Sequence, residues 1–309
     1  MPGPVAVTGA TGFIGTALLR ALAERGASVT ALTRHPVAQA PSIRWIQGDL
    51  QDRRALAELI GEAPAVVHCA GRVRGGSAAE FQRTNVEGTA NLLAAIGDCR
   101  STPRFLLISS LAARHPELSW YAASKRSAEQ RVAEYSGAMS SAIFRPTAVY
   151  GPGDREVRPL LNAMQRGYLP VVGDPGRRFS LLHVNDLVDA IVRWLTAPAE
   201  VRGIFELDDG MPGGYDWRML KDMAEAAWGR HIRAIPVPTG LLRGVSYLNL
   251  WLSRLSGHSP MLTPGKVREL THPDWVCDNS PARAALDWQP RIRLADALRD
   301  DAHLLVGKA

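Results

Sequence analysis

Two rhythms of apolar and polar positions alternate through the first half of the chain. Short, β-branched apolar runs at 5–8, 28–33, 43–47, 65–69, 104–109 and 141–145 predict strands. Between them, apolar residues recur three and four apart at 14–24, 54–60, 79–96 and 121–135, which predicts helices. The runs "FLLIS" (105–109) and "AVVHC" (65–69) are nearly continuous in apolar residues, as strands covered on both faces require. Repeated strand–helix–strand units with right-handed crossovers predict an α/β fold on a doubly wound parallel sheet. Its ligand crevice should lie beyond the carboxyl ends of the strands.

After Tyr150 the rhythm breaks, and Pro175, Gly176, Pro212, Gly213 and Gly214 mark a second, irregular layer. Within it, "HVNDLVDAIVRWL" (183–195) reads as a strand end and a helix capped by Asn185 or Asp186, and "GIFEL" (203–207) as a strand; both should rejoin the main sheet. In 241–255, Leu241, Leu242, Val245, Leu248, Leu252 and Leu255 form one helical stripe, widened by Tyr247, Leu250 and Trp251. Three fates are open to that stripe: core packing, a wall of a lipophilic pocket, or contact with a membrane surface.

Composition narrows the function classes. Among 309 residues, 46% are apolar and 21% charged, enough for a sizeable core and against disorder. The net charge of +6 is spread among 30 acidic residues with no basic run longer than a pair such as Arg177-Arg178, which points to an enzyme surface rather than a nucleic-acid platform. Cys69, Cys99 and Cys277 are too far apart for a zinc motif or a disulfide framework, so no metal is expected and a reducing, cytoplasmic setting fits. No export signal or membrane span is expected: the start runs straight into a strand, and Arg243 and Arg254 interrupt the most apolar stretch.

The chemistry begins at "TGATGFIG" (8–15), which puts Gly9, Gly12 and Gly15 between the first strand and the first helix. Glycines there permit a sharp turn and close approach to a pyrophosphate at a helix N-terminus, and Thr11, Phe13 and Ile14 share that turn. No G-K-[ST] follows, which sets aside a nucleoside triphosphate loop. The second strand ends at Thr33 and Arg34 with no carboxylate; a planar guanidinium suits a 2′-phosphate, so NADP is favoured over NAD. "GDL" offers Asp49 and Leu50 to an adenine, and "HCAG" offers Ala70 and Gly71 as small residues under a cofactor. His68 and Cys69 point to opposite faces of a strand and form no metal pair. His115, His183 and His272 read as isolated structural residues.

Two serines, Ser109 and Ser110, close the fifth strand, Tyr121 stands eleven residues after Ser110, and Lys125 stands one helical turn further on in "WYAASK". A nearby ammonium should lower the phenol's pKa toward working pH, and a serine hydroxyl can hold a substrate oxygen for it.

In this order and spacing the motifs, with "TNVEGT" (84–89), "FRPTAVYGPGD" (144–154) and "HVNDL" (183–187), make the chain resemble an extended short-chain dehydrogenase/reductase of the NAD(P)-dependent epimerase/dehydratase superfamily. The resemblance implies a Rossmann domain over 1–150, rejoined by 184–208, and a smaller substrate-capping domain over 151–183 and 209–309. It implies Tyr121 as acid/base, Lys125 also on the nicotinamide ribose, Ser110 (or Ser109, one register away) on the substrate oxygen, and Asn85 as support. Pro146 to Val149 would line the nicotinamide through their backbone. The segment before the tyrosine, "LAARHPELSW", is shorter than nucleotide-sugar enzymes of this family carry. That leans toward the dihydroflavonol-reductase and 3β-hydroxysteroid-dehydrogenase-like branches, hydride transfer to or from a secondary alcohol or ketone, and a homodimer through 79–96 and 121–135. A nucleotide-sugar epimerase or dehydratase with retained NAD, and a non-catalytic cofactor-binding scaffold, are the alternatives.

Overall fold

The computed structural model describes residues 3–99, 102–135, 139–256 and 259–300, with backbone alone for 254–256. Its first half runs β1 (Val5–Thr8), α1 (Phe13–Glu24), β2 (Val29–Thr33), β3 (Ile43–Gln47), α2 (Arg53–Ile60), β4 (Ala65–His68) and α3 (Ala78–Phe81). A π-helical turn (Gln82–Glu87) leads into α4 (Gly88–Gly97), then β5 (Arg104–Ile108), a 3-10 turn (Leu111–Arg114), α5 (Trp120–Tyr135) and β6 (Ser141–Pro146). The second half holds β7 (Ala148–Tyr150), α6 (Arg158–Gln165), β8 (Tyr168–Val172), β9 (Arg178–Phe179), β10 (Leu181–His183), α7 (Val184–Thr196), β11 (Gly203–Leu207), α8 (Trp217–Trp228), β12 (Arg233–Val237), α9 (Thr239–Ser256), α10 (Pro264–Thr271), β13 (Asp274–Trp275), α11 (Ser280–Leu286) and α12 (Leu294–Arg299).

Seven strands pair in parallel in the order β11-β6-β5-β4-β1-β2-β3. The winding reverses between β1 and β4, which opens a crevice at their carboxyl ends. Strand side chains alternate between two cores, because successive residues point to opposite faces. Val5, Val7, Val67, Leu106 and Ile108 pack with Leu18, Leu22, Ile191 and Trp194 on one face. Ala6, Val66, Phe105 and Leu107 pack with Leu56, Leu59, Leu92 and Ile96 on the other. Both faces are dry, which accounts for the continuous apolar runs.

A third core joins Tyr150, Leu161, Leu169 and Phe179 to Tyr215, Trp217, Leu220, Leu294 and Leu298, beside three two-stranded pairs, β10-β7, β12-β8 and β13-β9. The segment 203–207 rejoins the main sheet against β6 as expected, but the strand end at His183 does not: β10 pairs with β7 apart from that sheet, and only α7 packs on it. The cap of α7 differs from expectation: His183 Nδ1 accepts from the Asn185 N–H at 3.2 Å. Asp186 is instead buried, and its carboxylate accepts from Ile292 N at 2.9 Å, tying the closing segment to α7.

Candidate active site

The turn after β1 is built for close approach. Gly9 has φ +68°, and a Cβ there would lie 2.5 Å from the Ala70 nitrogen at the end of β4. Gly15 is buried against the Gly9 carbonyl, while Thr11 and Gly12 are exposed. Gly12 caps α1 without a side chain and no acid follows in the first turn, so the N–H groups of Phe13, Ile14 and Gly15 and the positive helix end are left for an anion. Arg34 is exposed at the end of β2. Asp49 is exposed at the end of β3 with its carboxylate accepting from Gln51 N at 2.8 Å, whereas Leu50 is buried. Pro146 is buried and Val149 half-buried beyond β6, and Gly153 of the following loop approaches the Phe13 ring. Bare helix end, small residues and exposed arginine together fit a dinucleotide.

Past β5 the two serines separate. Ser109 Oγ donates to Glu129 Oε1 at 2.6 Å, and Glu129 also accepts from Arg145 Nε at 2.8 Å and Nη2 at 2.6 Å, all buried. The next side chain points the other way: the Ser110 hydroxyl accepts from Ala112 N at 3.2 Å and lies beside the Tyr121 phenol, close enough to oppose the rise of its pKa. Of the two serines, Ser110 is the one beside the tyrosine, and the Ser109 hydroxyl, expected at the cofactor or on the substrate oxygen, is turned to Glu129 instead.

Lys125 is buried one turn along α5, its ammonium donating to the Ile108 carbonyl at 2.8 Å. Gly71 lies beside it, since a Cβ there would stand 3.1 Å from Nζ. Burial lowers the Lys125 pKa to about 8, against the pull of Cys69 and Glu129. Asn85, in the π-helical turn, accepts from Arg72 N at 2.7 Å and donates to Arg72 O at 3.0 Å and Ser124 Oγ at 2.8 Å, so it fastens the strand-end loop to α5.

One expectation is corrected. The Tyr121 pKa is raised: burial dominates, the Ser110 hydroxyl opposes it, Glu269 and Glu156 add to it, and the cation that opposes it is Lys266 rather than Lys125. Lys125 instead spends its ammonium on a carbonyl beneath the site.

The residues missed in the sequence come from α10. Lys266 Nζ pairs with Glu269 Oε2 at 3.0 Å, and the Ser119 hydroxyl donates to Glu269 Oε1. A Cβ on Gly265 would meet the Ser119 Cβ at 2.8 Å, so only glycine lets this helix sit so close to the start of α5. Together with Val73, Phe81, Tyr247, Leu250 and Met261 they wall a cavity of about 260 Å³ that reaches Tyr121. The signal available was "PGKVRE": a proline start, a glycine, and a Lys/Glu pair three apart. A larger hollow of about 520 Å³, between Gly26 and Thr196, opens at the amino ends of β1 and β2, away from this chemistry.

The histidines are not all isolated. His68 bridges Thr8 Oγ1 at 2.6 Å and Thr89 Oγ1 at 3.0 Å in the core, and burial, with Lys125 second, lowers its pKa to about 3. His115 stacks on His272 with centroids 4.3 Å apart, and both rings touch Trp275.

Residues 5–207 match the model of the NAD dependent epimerase/dehydratase family. The chain is 37% identical to a ceramide reductase of Caulobacter vibrioides, over 90% of this chain and 87% of that one. It is 31% identical to a 2-alkyl-3-oxoalkanoate reductase of Stenotrophomonas maltophilia, over 96% and 97%. Among solved structures it resembles a UDP-glucuronic acid 4-epimerase from Bacillus cereus in complex with UDP-glucuronic acid and NAD, with TM-score 0.74 at 19% identity and 96% of each chain covered, a likeness of fold alone. The chain therefore belongs to the NAD dependent epimerase/dehydratase family, and is an NAD(P)-dependent enzyme of the extended short-chain dehydrogenase/reductase type.

Proposed function

We propose that the protein is an NADPH-dependent ketoreductase for an alkyl-bearing substrate. The observation that carries this reading is Tyr121, with Ser110 beside it, at the end of a cavity whose wall joins the apolar Val73, Phe81, Leu250 and Met261 to the charged Lys266, Arg268 and Glu269. The two relatives above support the substrate class, since one is named for a ceramide and the other for a 3-oxoalkanoate with an alkyl branch. When bound, the nicotinamide supplies a hydride to the carbonyl carbon. Ser110 holds the substrate oxygen, and Tyr121 gives its phenolic proton to the alkoxide, leaving a secondary alcohol. A phenol kept protonated by burial suits the acid role in reduction.

Lys125 holds the nicotinamide ribose and adds a buried positive charge behind the tyrosine. Asn85 positions Lys125 and Tyr121 indirectly, through Ser124 and the loop at Arg72. Arg34 pairs with the 2′-phosphate of NADP. The reading keeps a homodimer and a cytoplasmic setting. No exposed large apolar side chain lies on 79–96 or 121–135, so pairing through those helices would be polar. Light scattering of the purified protein tests it.

The test of the reaction is net loss of NADPH absorbance with 3-oxo-alkyl lipids. Retained NAD and interconversion of UDP-sugars without net absorbance change would instead favour the epimerase. Arg34→Ala should bring NADPH and NADH affinities to within about threefold of each other by removing a charge-assisted contact. Equal affinities in the parent would contradict the cofactor assignment.

A further inference from the structure

Helix α9 is amphipathic in the inverted sense. Its inward side sets polar groups beside the buried Leu250: Ser246 and Ser253 are buried, their hydroxyls donating to the carbonyls of Arg243 at 2.7 Å and Leu250 at 2.8 Å, and Asn249 Nδ2 donates to Leu262 O at 3.0 Å. Its outward side is apolar: Leu241, Val245, Tyr247, Leu248, Trp251 and Leu252 are each between 46% and 63% exposed. At 3.6 residues per turn these six cover roughly half of the circumference, and no charged position falls among them. A helix in water shows the opposite arrangement. These side chains stand exposed on one face, and they do not complete the core that periodicity alone allowed.

Charge identifies what covers the face. From Ala226 to Arg268 the sequence contains six cations and no Asp or Glu; Lys266 pairs with Glu269 just past its end, and the other five are Arg230, Arg233, Arg243, Arg254 and Arg268. A second copy meeting this face through a two-fold axis would oppose cations to cations. An anionic phospholipid surface supplies both the apolar layer and the countercharge, with Trp and Tyr placed where interfacial aromatics reside. No helix among the described residues is long and apolar enough to cross a membrane, so the contact is in the plane of the interface.

We propose that α9 docks the protein on an anionic phospholipid bilayer, its Leu241–Leu252 face sunk among the headgroups and acyl ends. The position of the cavity agrees with this: Tyr247 and Leu250 of the same helix, with Met261 just after it, wall the space that ends at Tyr121. A lipid chain leaving the bilayer beside α9 meets the mouth of that cavity. Docking is separate from the redox reading, and its test uses no turnover.

The full chain with NADPH is floated with vesicles of phosphatidylcholine alone and of phosphatidylcholine with phosphatidylglycerol. The parent rises with the anionic vesicles and less with the neutral ones. The Leu248→Glu/Trp251→Glu variant partitions at least about tenfold more weakly, while its melting curve and NADPH affinity match the parent. Arg243→Glu, which leaves the apolar face intact, weakens binding to anionic vesicles only. A parent that stays in solution with anionic vesicles overturns the proposal, as does a double variant that floats like the parent. So does a parent that never floats but is a dimer that the double variant splits, which assigns the face to a second copy.

Discussion

The Ser109 hydroxyl donates to the Glu129 carboxylate at 2.6 Å, and this bond separates the work of two adjacent serines. Ser109 joins a buried ion pair, and Ser110 lies beside the phenol of Tyr121. Alanine at each should show the split. Ser110→Ala is expected to lower kcat by about a hundredfold and, by removing the hydroxyl that accepts from Ala112 N at 3.2 Å, to cost about 1 kcal/mol of stability. Ser109→Ala is expected to leave kcat within about threefold and cost about 1 kcal/mol of stability. Steady-state kinetics and urea unfolding on the two variants check this, and equal effects on kcat would contradict it.

Glu129 takes two hydrogen bonds from Arg145, whose side chain is only 10% exposed, and Arg145 in turn approaches Glu206 of β11 at 3.5 Å. The cluster locks α5, which carries Tyr121 and Lys125, onto β6 and its neighbour. Glu129→Ala strands a guanidinium with most of its countercharge gone and should cost about 3–5 kcal/mol in urea unfolding. A loss below about 1 kcal/mol would show that the cluster does not hold the helix.

Acid lability follows from buried neutral histidines. Burial lowers His183 to about 4 and, with Lys125 second, His68 to about 3, while both take a proton near 6.5 when unfolded. The unfolded chain thus binds more protons between these values, and stability is full above about 6.5 and is lost as pH falls toward 4 and then 3. His183→Asn keeps an N-cap acceptor and removes the titration. It should flatten the fall between about pH 4 and 6.5 by up to about 1.4 kcal/mol per pH unit. Urea midpoints over that range measure it, and an unchanged slope would refute the assignment to His183.

The parallel sheet of the first half was legible because its signals are local. A glycine turn after a strand, serines closing a strand, and a Tyr/Lys pair one helical turn apart each place their own neighbours. Residues acting across the chain were not legible. Glu269 bonds Ser119 from 150 positions away, and nothing in their separate surroundings couples them. Helix α9 shows a different limit: periodicity finds an apolar stripe, but only packing tells which side meets the protein, and here Ser246 and Ser253 do. The cap of α7 shows a third, since His183 Nδ1 takes the N–H that Asn185 or Asp186 was expected to govern by position.

The proposed proton-transfer role of Tyr121 is tested most directly by Tyr121→Phe, which removes one oxygen from a half-buried ring and leaves its edge contact with Phe81 possible. Ketone-dependent NADPH oxidation is measured in parallel with NADPH affinity. The account predicts turnover at least about a thousandfold lower with an NADPH Kd within about twofold of the parent. Turnover retained to within about tenfold would contradict it.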